Sequence, residues 1–379
     1  MKKKTSDQLK ILELSDIHLG HRRTTAEHIV LNLEKLIPDN KKTAELDLII
    51  IAGDLFDRDL NFYQDYIYWI RRCVSRLLKL CKKHDIVLRV LEGTPSHDWK
   101  QSALFVELNE MFDIGCDVKY HKQLEIDYIE PLDTTILYIP DEWRNSNDTT
   151  WLEVVDELNK HGLDKVDFCV MHGCFPHQLP EHVHDQVELH QPDRYLSITR
   201  YFIFIGHIHH YSVYDRILSA GSTDRLCHGE ESPKGCLRVT MSPSGEHDVE
   251  FIENTNAKVY ITIDCTGLSM DKALVKVRKV IDGKPDDSHF RIMGHRDDAI
   301  MGAISNLRME YGYHNWTIKN TKTKDVEEIA VTIDEKNIPR VVLNRDNILN
   351  LLASKIESKY PIYLEPGIRM IEEIMDNVN

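Results

Sequence analysis

The stretch LDLIIIAGDLFD, residues 46–57, decides the fold class. Its apolar run is short, rich in β-branched residues and nearly continuous, which is how a strand covered on both faces reads. It stops abruptly on Gly53-Asp54, where an acidic side chain is delivered at a tight turn. The same grammar recurs along the chain. ILEL (11–14) runs into Ser15-Asp16-Ile17-His18, and IVLRVLE (86–92) into Gly93-Thr94-Pro95-Ser96-His97-Asp98. VDFCVM (166–171) runs into His172-Gly173, and YFIFI (201–205) into Gly206-His207-Ile208-His209. A sixth run, TTILYIP (134–140), carries no such cluster. Helices are expected between these runs, over 25–37, 62–84, 101–112 and 150–160. Strands alternating with helices predict a layered α/β domain over 1–255.

Ligands of α/β sheets bind where the strands deliver their carboxyl ends, so the five clusters are expected on one edge of the sheet. In Asp16-x-His18 and His207-x-His209 the period of an extended chain would point both side chains the same way. Asp oxygens and His nitrogens without a thiolate suit Mn²⁺, Fe²⁺ or Zn²⁺ and exclude an all-oxygen Ca²⁺ site. Asp16, His18, Asp54, His172, His207 and His209 are too many for one tetrahedral ion. They suit two ions sharing a carboxylate, about 3.5–4 Å apart, which can clamp the attacking and leaving oxygens of a phosphoryl displacement. One such motif alone is weak; five in order, each at a strand end, are not.

The chain is 379 residues long, enough for two to three domains of about 150 residues. Residues 205–255 read as hairpin pieces around SAGS and SPSG. Residues 256–338 read as a small α+β unit with strands at KVYITID, HFRIMG and NWTIKN and helices at 270–282 and 297–311. The tail, 339–379, carries one apolar stripe at Ile348, Leu351, Leu352 and Ile356 and another at Ile368, Ile371, Met375 and Val378. The formal charge is 47 − 62 = −15, which excludes a protein coated in positive charge but not a local basic groove. The basic residues Arg71, Arg72, Arg76, Lys79, Lys82 and Lys83 read as a solvated helix face. No apolar run reaches the 18 residues of a membrane span and the first residues lack a signal core, so a cytoplasmic protein is expected. The eight cysteines form no CxxC pair and read as reduced thiols. The four histidines of His177–His190 read as a solvated loop. Trp143 is expected either at the substrate cleft or partly in the core.

The order DxH, GDxxD, a Gly-to-His-Asp loop, HG and GHxH resembles the signature of the calcineurin-like metallophosphoesterases. More narrowly, SDIHLG (15–20), GDLFD (53–57), GHIHH (206–210) and SAGSTDRLCHGEESPKGCLRV (219–239) are similar to the SbcD-type (Mre-like) nuclease subunits of DNA-repair exonucleases and their phage relatives. The resemblance covers about 1–255 by motif and is architectural beyond. It implies an α/β/β/α sandwich, a smaller α+β capping domain over 256–338, and a C-terminal helical segment over 339–379 that docks an ATPase. It implies two divalent ions, Mn²⁺ first and Mg²⁺ as the alternative. Asp16, His18 and His209 would hold one ion, Asp54 would bridge, and His172 and His207 would hold the other. His97 would face the scissile phosphate, oriented by Asp98. The substrate would be DNA ends, cut exo- or endonucleolytically. The partners would be an SbcC-like ABC/SMC-type ATPase and a second copy of the chain.

The third motif departs from the family's Gly-Asn-His-Asp, whose Asn binds the second metal. GTPSHD has no Asn, and counting back from His97 puts Ser96 in its place, a weaker ligand and a looser second site. Two alternatives stay open: a phosphoesterase of the same superfamily acting on phosphoproteins or nucleotides, and a metal-poor scaffold, which the missing Asn favours.

Overall fold

A computed structural model describes residues 8–60, 63–141 and 146–321. The strands are β1 (Leu9–Leu14), β2 (Leu48–Ala52), β3 (Val87–Leu91), β4 (Val118–His121), β5 (Glu125–Ile129), β6 (Thr134–Ile139), β7 (Val166–His172) and β8 (Thr199–Gly206). They continue with β9 (Ser212–Tyr214), β10 (Ile217–Ser219), β11 (Gly235–Met241), β12 (His247–Glu253), β13 (Tyr260–Asp264), β14 (His289–Gly294) and β15 (Asn315–Asn320).

The first twelve strands form two six-stranded sheets, in the orders β12-β11-β1-β2-β3-β4 and β5-β6-β7-β8-β10-β9. The apolar runs are continuous because each strand is buried on both sides. Ile11, Leu48, Ile50, Val87 and Leu91 of the first sheet share a core with Ile136, Tyr138, Phe168, Val170, Phe202 and Phe204 of the second. The alternate residues Leu12, Leu14, Ile49, Ile51, Leu88 and Val90 pack on residues such as Ile29, Leu33, Val74, Leu78 and Phe105. Those belong to helices Ala26–Leu36, Tyr66–His84 and Leu104–Met111. On the far side Leu137, Ile139, Cys169, Met171, Ile203 and Ile205 meet Val154, Leu158 and Tyr195. These lie on helices Asn147–His161 and Pro192–Ile198. A fully buried Leu, Ile or Phe contributes about 1.5–3 kcal/mol, so this double-faced packing is what fixes the strand ends in space.

β1, β2 and β3 run parallel in one sheet, and β6, β7 and β8 run parallel in the other. The five clusters therefore follow strands of two sheets rather than one, because β7 and β8 pair with β6 and not with β3. They converge all the same, since the sheets share a core and end at the same level. The hairpin β11–β12 turns at SPSG as expected and adds its first strand antiparallel to β1.

The strands β13, β14 and β15 form a parallel sheet over a core of its own, with Ile263, Val277, Phe290, Ile292, Leu307 and Trp316. The helix expected at 297–311 is divided into Ala299–Gly302 and Ile304–Glu310 at Gly302-Ala303, where glycine weakens the helix. The main-chain N–H of Lys258 donates to Asp224 (2.6 Å), Glu231 accepts from the Thr262 N–H and hydroxyl (3.0 and 2.9 Å), and the described residues up to Asn320 form one compact unit. The tail segment 339–379, the end of the 256–338 unit beyond 321, and Trp143 lie outside the described residues. Among the described residues no helix is long and apolar enough to cross a membrane.

Candidate metal centre

Asp16, His18, Asp54 and His207 all sit with positive φ, at 49°, 54°, 49° and 105°. The Asp-x-His and His-x-His pairs are thus not extended, as their spacing suggested. Each chain leaves its strand and turns through the left-handed region, which costs a non-glycine residue roughly 1 kcal/mol or more. Cross-loop hydrogen bonds hold the first two turns together: Asp16 N to Gly53 O (3.1 Å), and Ile17 N and His18 N to Asp54 O (2.9 and 3.0 Å). The main-chain N–H of His207 donates to both oxygens of Asp16 (2.9 and 3.1 Å), locking the second sheet's loop onto the first's.

Glycines allow this approach. A Cβ on Gly93 would lie 2.1 Å from Asp54 N and 2.3 Å from Asp54 Oδ1. Gly93→Ala must push Asp54 out of place. We expect it to destabilise the chain by about 3 kcal/mol, the upper range for overpacking, read as a lowered urea midpoint.

Three groups of side chains bring ligand atoms within 4.8 Å of one another: Asp16, His18 and His209; His18, Asp54 and His97; and Asp54, His172 and His207. Nε2 of His18 is 3.1 Å from Nε2 of His209, which is 3.8 Å from Asp16 Oδ1. Nε2 of His172 is 3.3 Å from Asp54 Oδ1, and Nε2 of His18 is 3.8 Å from Asp54 Oδ2. Atoms bound about 2.1 Å from a shared cation lie from about 3.0 Å apart at a right angle to about 4.2 Å apart when opposite, so these spacings fit a cation. Two imidazole Nε2 atoms facing each other at 3.1 Å also need either a proton or a cation between them.

The outward ring nitrogens of His172 and His209 are committed elsewhere. His172 Nδ1 lies 2.9 Å from Ala52 O, an acceptor only, so Nδ1 carries a proton and Nε2 is the nitrogen that faces Asp54. His209 Nδ1 is likewise held by Glu230 Oε1 at 2.9 Å. Asp57 Oδ1 stands 3.5 Å from His18 Nδ1. Burial works against a charged His172, yet the Asp54 carboxylate beside it raises the imidazole to about 10. Burial and the nearby His172 push His207 down to about 4. Burial likewise opposes ionisation of Asp54, but His172 holds its carboxyl well below the usual range. The chain alone thus keeps positive charge at the spot where a divalent ion fits.

Two expectations change. Ser96 is exposed, on the outer side of the short helix Pro95–Asp98, and does not join the cluster. Thr94 does. Its hydroxyl lies 3.3 Å from Asp54 Oδ2 and 3.4 Å from both His172 Nε2 and His207 Nδ1, and its N–H donates to Asp54 Oδ1 (2.6 Å). Counting back from His97 misplaced the oxygen because Pro95 begins a helical turn, so the residue nearest the strand end faces inward. Asp98 does not orient His97. Its oxygens accept from Phe56 N (2.8 Å) and Gly93 N (2.7 Å), bracing two turns, and burial raises its carboxyl well above the usual range. His97 Nδ1 instead lies 2.9 Å from Asp54 Oδ2, with its side chain 37% exposed above a carboxylate only 2% exposed.

Thr94→Ala is expected to weaken uptake of one of two Mn²⁺ ions by about tenfold in a calorimetric titration. Ser96→Ala is expected to leave both steps and the melting temperature unchanged.

No family model matches the chain, and no curated protein matches it. Solved structures do align with it. GAP50, the anchor in the inner membrane complex of Plasmodium, aligns over 66% of this chain and 86% of its own length at 12% identity and a TM-score of 0.39. Another solved chain aligns over 64% of this one and 99% of its own, at 10% identity and a TM-score of 0.37. At that level of similarity the site stands on its own geometry.

The histidine-rich loop stays apart from the cluster. His177 stacks on Tyr214 at 4.6 Å between ring centres, and His184 Nε2 lies 3.0 Å from two main-chain carbonyls. Thr94, Asp57 and Glu230 were not among the expected site residues. All three stand inside quoted stretches, 93–98, 53–57 and 219–239, and for the last two a carboxylate in the same motif was the available signal.

Proposed function

We propose that the chain is a two-metal phosphodiesterase that cleaves DNA, the nuclease subunit of an assembly with an SbcC-like coiled-coil ATPase. The observation that carries the hydrolase reading is that Asp54 belongs to two groups of potential ligands, one with His18 and the half-exposed His97 and the other with His172 and His207, while His18 also belongs to a third with Asp16 and His209. The DNA substrate and the ATPase rest on the motif resemblance, as do the choice of Mn²⁺ over Mg²⁺ and pairing with a second copy. The helix-covered pair of sheets is in keeping with the α/β/β/α order that resemblance implies.

Asp16, His18 and His209 would hold one divalent ion, His172, His207 and Thr94 the other, with Asp54 between them. Such ions supply positive charge for the phosphoryl oxygens and lower the pKa of water. The protein's own contribution is placement and proton movement. Asp54 accepts from His97 at Nδ1, which raises that imidazole above its ordinary value. Nε2 of His97 has no protein partner among the described residues, so it is the atom that can give a proton to the departing alkoxide. The ring nitrogens of the buried histidines that held the ions would be ligated and would not compete for that proton.

The test is cleavage of linear double-stranded DNA by the full chain with Mn²⁺, alone and with the coiled-coil ATPase of the same genome. Metal-dependent cleavage, raised by the ATPase, is expected. Turnover of an aryl phosphodiester with no DNA cleavage under either condition would move the assignment to a nucleotide or phosphoprotein esterase. Absence of stoichiometric metal would leave a scaffold.

A further inference from the structure

We propose that Glu230 is the positioning residue for His209, fixing it as an Nε2 ligand of the first cation, with Lys234 buried behind the pair to hold both in place. This rests on the two-cation reading of the site and adds a residue outside every potential ligand group.

The segment between β10 and β11 folds back beneath His209. Glu230 Oε1 accepts from His209 Nδ1 (2.9 Å) and from the Cys227 thiol (3.2 Å), and Oε2 accepts from Leu226 N (3.1 Å). Lys234 has no exposed surface. Its ammonium donates to the His209 carbonyl (2.7 Å) and stands 3.5 Å from Glu230 Oε2. One segment therefore grips His209 by side chain and by main chain. A buried lysine is costly to keep unless it is paired and hydrogen-bonded, and here both of its contacts serve the same histidine.

The consequence is chemical. A neutral imidazole has one N–H. Anchoring that proton on Nδ1 leaves the lone pair on Nε2, 3.1 Å from His18 Nε2 and 3.8 Å from Asp16 Oδ1. A carboxylate acceptor also makes Nε2 a stronger donor to a cation than a neutral acceptor does. The equivalent proton of His172 meets only the neutral carbonyl of Ala52. The two halves of the site thus differ, and the half containing His209 is the tighter.

The experiment titrates the metal-free full chain with Mn²⁺ and follows the free ion by electron paramagnetic resonance. Wild type is expected to take up two ions in a tight and a weaker step. Glu230→Ala should weaken the tight step by about 10–100-fold and leave the weaker one in place. Glu230→Gln, which keeps an acceptor oxygen without the charge, should fall between. The metal-free melting temperature of each variant separates this from misfolding. Tight uptake unchanged in both variants, or both steps weakened alike, overturns the role of Glu230. Wild type that takes up no Mn²⁺ overturns the two-cation reading itself, a distinguishable failure.

Discussion

Asp54→Asn is expected to abolish binding of both cations and to lower phosphodiester turnover by about 10⁴-fold or more. An amide presents one neutral oxygen where the carboxylate presents two charged ones to His172, His97 and His18. Each tenfold in rate is about 1.4 kcal/mol, and removing the cations' charge from the phosphoryl oxygens costs several kcal/mol, which sets the scale. Calorimetry and a single-turnover assay read the two losses separately. A related sign follows for wild type. Burial disfavours the His172 imidazolium, but Asp54 raises it to about 10, so a proton and a cation compete for Nε2 across the neutral range. Cation affinity should therefore rise with pH, and uptake at neutral pH should release protons into the buffer.

His97→Gln should behave in the opposite way with respect to metal. The ring is 5.0 Å from that of His18 and touches Asp54 only through Nδ1, so its removal leaves the other seven side chains to hold the ions. Turnover should fall about 10²–10⁴-fold, the usual worth of a positioned general acid, while both Mn²⁺ steps persist. The loss should be small for a substrate whose leaving group needs no proton, such as a nitrophenolate, and large for DNA. An equal loss on both substrates would mean that His97 acts by holding a cation rather than by giving up a proton.

Much of this was legible in the chain for one physical reason. Strands covered on both faces must be almost wholly apolar, so the point where polarity returns marks the strand's carboxyl end and the site with it. Ile49 and Ile51 pack toward the helices while Leu48 and Ile50 pack toward the other sheet, and the run between Leu48 and Ala52 admits no polar residue. The edge strands β4 (VKYH) and β5 (EIDYI) were missed because they are only half buried and are organised by charge. Arg89, inside an apolar run, reaches Asp117 (2.9 Å) and Asp127 (2.8 Å), and Lys119 adds to the same network. No periodicity announces a strand held that way. Within the site, residue types were readable and backbone angles were not. Asp-x-His looks extended on paper, but cross-loop hydrogen bonds place Asp16 and His18 in the left-handed region. Ser96 and Thr94 differ by two positions, and only the helical turn starting at Pro95 tells which oxygen faces inward.

The most direct test is a crystal of the full chain grown with Mn²⁺ and measured at the manganese absorption edge. Two anomalous peaks on either side of the Asp54 carboxylate are expected, one touching Asp16, His18 and His209 and the other His172, His207 and the Thr94 hydroxyl. A single peak, or peaks that leave Asp54 without a metal contact, would contradict the account.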